Sequence, residues 1–190
     1  MKKYLALALI ALIFLSCTTK TYLHRINFYL NAHSVKDRGR YLSNDYHSFF
    51  METKGQGKDR THALQSFSNW DAPLHPDVTI LNYTVNGDNW STEINEQNDF
   101  SKLIGFPGWK ATEIIKFNPK GKISEVTYLP NEDNPDYKKW LEPAIQWLQK
   151  NKPFELNEIY KEESLVQTPQ TATKWIELLR QWRQETTAAK

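Results

Sequence analysis

The dipeptide Asn86-Gly87 constrains this chain more than any other feature. It lies between two β-rich runs, Val78 to Val85 and Trp90 to Glu96. Asn-Gly is the preferred pair for a tight primed turn, because both central residues need positive φ. A third β-rich run follows at Trp109 to Phe117, then Asn118-Pro-Lys-Gly121 as a turn, then a fourth run from Lys122 to Leu129. Consecutive strands joined by short turns make an antiparallel sheet.

Helical signals flank that sheet. Tyr22, Leu23, Ile26, Tyr29, Leu30 and His33 recur at helical spacing, which predicts an amphipathic helix over 21–33. Ser34 is placed to cap a second, short helix carrying Val35, Tyr41 and Leu42. A strand is expected over Tyr46 to Glu52, a turn at Gly55 and Gly57, a helix over 58–68 and a loop from Trp70 to Pro76. Residues 98–108 read as a connection. After Pro130, Asn134-Pro135 opens a helix with Tyr137, Trp140, Leu141, Ala144, Ile145 and Leu148 on one face and Pro143 inside it. A helix from Pro153 to Lys161 follows, and Thr168-Pro169 begins the last, with frayed residues from Gln184. The fold class is therefore α+β: a curved antiparallel sheet wrapped by N-terminal helices, with a C-terminal helical extension.

The first residues stand apart. Lys2 and Lys3 precede an apolar run from Leu5 to Leu15. That run fits a signal-peptide core and falls short of the about 20 residues a membrane-spanning helix needs. It ends Phe14-Leu-Ser-Cys17, which resembles a bacterial lipobox. The organisation expected is a leader at 1–16, a tether at 17–21, an α+β domain at 22–130 and the extension at 131–190. Lipidation of Cys17 would anchor the chain to a membrane of the bacterial cell envelope, on the outer membrane where the host has one. Cys17 is the single cysteine, so no disulfide forms within one chain. The whole chain has 24 Lys+Arg against 22 Asp+Glu. Two of those bases lie in the leader, so the remainder is balanced and offers no electrostatic case for nucleic acid.

The stretches Arg25-Ile-Asn-Phe-Tyr-Leu-Asn-Ala-His-Ser34, Tyr41-Leu-Ser-Asn-Asp-Tyr46, Gly57-Lys-Asp-Arg60 and Glu113-Ile-Ile-Lys-Phe-Asn-Pro-Lys-Gly-Lys-Ile123 occur in an order that resembles the nuclear transport factor 2-like superfamily, in its SnoaL-like and ketosteroid-isomerase-like branch. The resemblance covers about residues 20–130. It implies a cone, a bent sheet enclosing a pocket, in a superfamily of isomerases, dehydratases, hydrolases and non-catalytic domains. The isomerase pattern is incomplete. Its first-helix tyrosine falls near Ile26, its base near Phe50 and its protonated acid near Glu113, so two of three positions lack the chemistry.

Glu113 shares a strand face with Ala111, Ile115 and Phe117, so a buried carboxyl with a raised pKa is expected. Three weaker polar candidates are His47, read as inward by its alternation with Phe49 and Met51, and Asp71 with His75 in a Pro-rich loop. A satisfied core histidine and a locally bonded turn are the plainer readings of these. Trp70, Trp90, Phe106, Trp109 and Phe117 are candidates to line an apolar ligand site, with core filling as the alternative. Gly105-Phe-Pro-Gly-Trp109 is read as a pocket-edge loop. No metal-ligand spacing, phosphate-binding loop or nucleophile elbow occurs, so no cofactor is expected. The tail holds four of the seven tryptophans, Trp140, Trp147, Trp175 and Trp182, which argues that it packs on the domain. The reading that results is a lipoprotein binding a small apolar ligand or a protein partner without catalysis. Its alternatives are an isomerase, dehydratase or hydrolase in the cone pocket and a homodimerising scaffold.

Overall fold

The computed structural model describes residues 20–51 and 57–188. The leader, Cys17, Glu52 and the expected turn at Gly55 lie outside the described residues. Helix α1 covers residues 20–30, so Lys20 and Thr21, expected in the tether, are helical. Helix α2 (Val35–Tyr41) starts at Ser34, whose hydroxyl accepts from the Asp37 amide. Strand β1 (Leu42–Phe50) then enters the sheet.

Strand β2 (Lys58–Asp59) is followed by α3 (Arg60–Ser66), a π turn over Phe67–Asp71, and α4 (Ala72–Leu74). The expected loop from Trp70 is thus mostly helical. Pro73 falls just after the π turn, near the C-terminal end of the continuous helical run, and His75 ends that run in a left-handed conformation. The hairpin β3 (Asp77–Asn86) and β4 (Asn89–Gln97) turns at Gly87, with φ of +60°. The 98–108 connection contains a helix, α5 (Asp99–Ile104), closed by a reciprocal capping box between Asn98 and Ser101. Strands β5 (Trp109–Phe117) and β6 (Ile123–Pro130) complete the sheet.

The sheet order is β2-β1-β6-β5-β4-β3. All pairs are antiparallel except β1 with β6, which run parallel. Between Leu42 and His47 the β1 register shifts against β6, a bulge that bends the strand. The molecule is α+β, a curved six-stranded sheet with helices against it.

The sheet has two distinct ends. Trp90 pairs with Ile115 while Phe117 and Leu42 both pair with Ile123, so these residues share one end. Glu96 pairs with Trp109 and Phe50 with Tyr128, at the other. Ile26, Tyr29 and Leu30 of α1 pack over the inner face with Trp90, Ile94, Ile115 and Val126. At the first end Tyr22 closes the gap, its ring centroid 4.6 Å from Phe117 and 5.5 Å from Trp90.

The extension comprises α6 (Tyr137–Asn151), α7 (Pro153–Ile159), a small hairpin of β7 (Tyr160–Lys161) and β8 (Ser164–Leu165), and α8 (Pro169–Ala188). Helix α8 runs beyond Gln184, where fraying was expected. The second core joins Leu141, Ile145, Leu148, Trp175 and Leu179 of the extension to Leu74, Phe100 and Ile104 of the α+β part. Trp175 is fully buried and donates its indole N–H to the Ile159 carbonyl at 3.2 Å.

Candidate functional site

Three short segments build the second end of the sheet. The π turn is one residue wider than an α turn, and it brings Trp70 and Asp71 into a cavity. The loop after α5 carries two glycines at positive φ, Gly105 at +79° and Gly108 at +115°. A Cβ on Gly108 would meet the Asn95 side chain at 2.5 Å, so only glycine fits there. Between these glycines the chain turns Phe106 inward and delivers Trp109 to the rim. The extension adds Tyr137, Leu165 and Gln167.

Together with Phe100 and Tyr128, these residues enclose a cavity of about 620 Å³. Its walls are mainly aromatic, and Phe106 contacts Trp109 and Tyr137 at ring distances of 6.0 and 5.5 Å. Two carboxyls, Asp71 and Glu96, face it. Glu96 follows Trp90, Thr92 and Ile94 on the inner face of β4, by strand alternation.

A second cavity of about 240 Å³ adjoins the first and shares Phe50, Asp71 and Tyr128 with it. It is lined by Tyr29, Arg38, Tyr46 and Glu113 among others. Arg38 donates to the Tyr29 hydroxyl at 3.0 Å, and its guanidinium lies over the rings of Tyr29 at 4.2 Å and Phe67 at 4.5 Å. The Tyr29 and Tyr46 hydroxyls are 3.3 Å apart. Glu113 is 6% exposed, and its Oε2 has no hydrogen-bond partner among the described residues. Thr92, its cross-strand neighbour, is fully buried with Oγ1 likewise unpartnered.

One cation therefore serves several acids. Burial pushes the Glu113 carboxyl up to about 7, against the pull of Arg38 and with a further push from Glu96. Burial also pushes Glu96 up to about 7, with Asp71 adding to the rise and Arg38 opposing it. Asp71 is raised by burial, opposed by Arg38 and Lys58. Burial works against the charge of Arg38 too, but Tyr29, Asp71, Tyr46 and Glu113 outweigh it and hold the proton firmly. Both glutamates are thus held well above the ordinary carboxylate range, which favours their protonated, hydrogen-bond-donating form more than in water. Among the described residues, no three His, Cys, Asp or Glu side chains converge closely enough to hold a metal ion.

The sequence candidates separate clearly. Trp70, Asp71, Phe106 and Trp109 come together around the larger cavity, and Glu113 lies in the smaller. Trp90 and Phe117, expected beside a ligand, instead pack with Tyr22 in the closed end. His47 is a correction: it is exposed, with Nδ1 against the Asp45 carbonyl at 3.0 Å. Tyr46, one residue earlier, takes the buried position. Met51 misled the alternation because it lies past the strand in a left-handed turn, with φ of +58°. His75 and Asp71 form no dyad. His75 is exposed and pairs with Asp99 at 2.9 Å. Ile26 is fully buried, and Phe50 stands where the two cavities join. Arg38, Glu96, Tyr29 and Tyr137 were missed. Glu96 was legible from its parity with Trp90, Thr92 and Ile94, whereas nothing local in α2 marks Arg38 as inward.

No protein family's sequence profile matches this chain, and no curated protein matches it significantly. Solved structures do resemble it. A nuclear transport factor 2-like protein of unknown function from Cytophaga hutchinsonii is 7% identical, with a TM-score of 0.44 over 58% of this chain and 89% of that one. A similar protein from Burkholderia xenovorans is 15% identical, with a TM-score of 0.44 over 64% and 92%. The Δ5-3-ketosteroid isomerase of a Mycobacterium species is 11% identical, with a TM-score of 0.46 over 59% of this chain and 94% of that one.

Proposed function

We propose that this protein binds a small, largely apolar ligand in the cone, while a lipid on Cys17 holds it at the bacterial cell envelope. The observation that carries the binding reading is the aromatic cavity of about 620 Å³ with Asp71 and Glu96 in its wall. Such a volume suits a small molecule, and a few polar groups among apolar walls fix orientation. The ligand's apolar body rests against Trp70, Phe106 and Trp109. A hydrogen-bond donor on it, neutral or cationic, points toward Asp71 and Glu96.

The test uses N-phenyl-1-naphthylamine, a neutral aromatic amine that fluoresces when it leaves water. The protein is expected to bind it, with Trp109→Ala weakening binding roughly tenfold through lost aromatic contact. Phe154→Ala, on an exposed side chain outside both cavities, serves as the control. No binding by the unmodified protein, or equal binding by both variants, would overturn this function.

A second reading is an acid–base enzyme. It is favoured by Glu96 and Glu113 both titrating at about 7 within adjoining cavities, near the pH where a group gives and takes protons equally well. Turnover of a bound carbonyl compound that disappears in Glu96→Gln with binding retained would establish it.

A further inference from the structure

The end of the cone opposite the cavity is closed, and the chain enters the fold there. Tyr22 packs on Trp90 and Phe117, and Arg25 donates to the Gly121 carbonyl. The start of α1, the β3–β4 turn at 86–89 and the β5–β6 turn at 118–122 therefore share this end. Only residues 18 and 19 separate Cys17 from residue 20, where α1 has begun. Three residue steps reach no more than roughly 11 Å. A lipid on Cys17 would hold this end, and no other, against the bilayer.

The two ends differ in their surface charge. Lys20, Lys120 and Lys122 are exposed at the closed end, with Arg25 half-buried beside them. Lys122 reaches the Arg40 carbonyl, and Arg40 is paired with Asp37 at 3.2 Å. Lys116 is likewise spent on Glu125, at 2.6 Å. Asp88 is the acid in the β3–β4 turn. Tyr83 and Val85, 40% and 46% exposed, add apolar surface on β3 next to that turn. At the cavity end the loop leading to Tyr137 carries Glu132, Asp133 and Asp136, offset by the exposed Lys110, Lys138 and Lys139 beside them, and Asp71 and Glu96 lie within. The exposed lysines of the closed end outnumber the acid in its turns, whereas the open end mixes both signs.

We propose that the closed end rests on anionic phospholipid headgroups, with the cavity mouth turned away from the bilayer. This rests on the reading of Cys17 as the lipidated residue. Lysines a few ångströms from an anionic surface are attracted within a Debye length, whereas the mixed charges of the mouth give no comparable pull. Tyr83 supplies the amphipathic ring that favours the headgroup level. The ligand therefore reaches the cavity from the aqueous side rather than from the membrane interior.

The experiment uses the protein as its bacterial host matures it, with intact mass measured first. Spin labels at Asp88→Cys and Asp133→Cys are compared in phosphatidylcholine vesicles with and without phosphatidylglycerol. Collisions with lipid-dissolved oxygen and with an aqueous nickel chelate report depth. The label at 88 is expected to favour oxygen and the label at 133 the chelate. Phosphatidylglycerol should widen the difference, and Lys120→Glu with Lys122→Glu should remove that widening. Lipidated protein whose two labels read alike, or whose labels ignore both lipid charge and the lysine reversals, overturns the orientation alone. A mass showing no acyl groups on Cys17 overturns the anchoring and the orientation together, and leaves ligand binding standing.

Discussion

The two ends of the sheet use the same kind of residue to opposite effect. At the closed end Trp90 and Phe117 meet Tyr22, and the space between them is filled. At the open end Trp70, Phe106 and Trp109 stand around about 620 Å³ of empty volume. Aromatic content does not make the difference. The difference lies in what crosses the gap. Helix α1 places Tyr22 directly over the first pair, whereas Asp71 and Glu96 interrupt the second group. An apolar side chain laid over those carboxyls would deepen a desolvation that already raises both of them.

The largest test of this contrast is Trp90→Ala. The residue is 5% exposed within a filled cluster, so its loss is expected to cost about 3–5 kcal/mol in urea unfolding. Trp109→Ala, beside a cavity that already exists, should cost well under half as much. Equal costs would break the distinction between a filled end and an open one.

Next comes the buried carboxyl of the smaller cavity. The Glu113 carboxyl rises from 4.5 in the unfolded chain to about 7 in the folded one. A carboxyl shifted upward contributes its full stability below its unfolded value and loses it as pH rises through the folded value. Stability should therefore fall from about pH 4.5 past pH 7, by about 3 kcal/mol for this group alone. In Glu113→Gln that part of the slope disappears, so the variant should match the parent near pH 4.5 and exceed it at pH 8. Parallel pH curves for the two proteins would show that the buried carboxyl carries no such penalty.

The smallest effect concerns the rim. Glu162 and Glu163 form the β7–β8 turn with φ of +49° and +56°, a conformation that suits Asn-Gly far better. The double change Glu162→Asn with Glu163→Gly should raise stability by about 1 kcal/mol. If the melting temperature does not move, the turn next to the cavity residue Leu165 is not a weak point of the open end.

Much of the sheet was legible because each strand from Val78 onward carries its own signal. The Asn86-Gly87 turn and the alternation through Ala111, Glu113 and Ile115 are local facts, and the observed strands follow them. The misses have a shared cause. Strand β1 is paired to a strand more than 70 residues later and bulges on the way, so its phase depends on distant contacts, and His47 and Tyr46 exchange faces. Helix α5 hides in a loop-like composition, because its capping box uses Ser101 where Glu or Gln is the familiar partner. Trp90 and Trp109 cannot be told apart from sequence, since each sits on an inner face and only Tyr22 decides which one is covered. Arg38 was invisible for a related reason: its acid partners Asp71, Glu96 and Glu113 come from three other elements.

The parallel pairing of β1 with β6 also governs how the chain assembles. Apart from two-residue β2, β1 has no sheet partner until β6 exists. The β3–β4–β5 meander forms from neighbours and needs only short loop closures, whereas β1 must wait for a contact of high sequence separation. Docking of β1 on β6 is therefore expected to be a late step of folding, with φ-values near zero for β1 residues as the measurement that checks it.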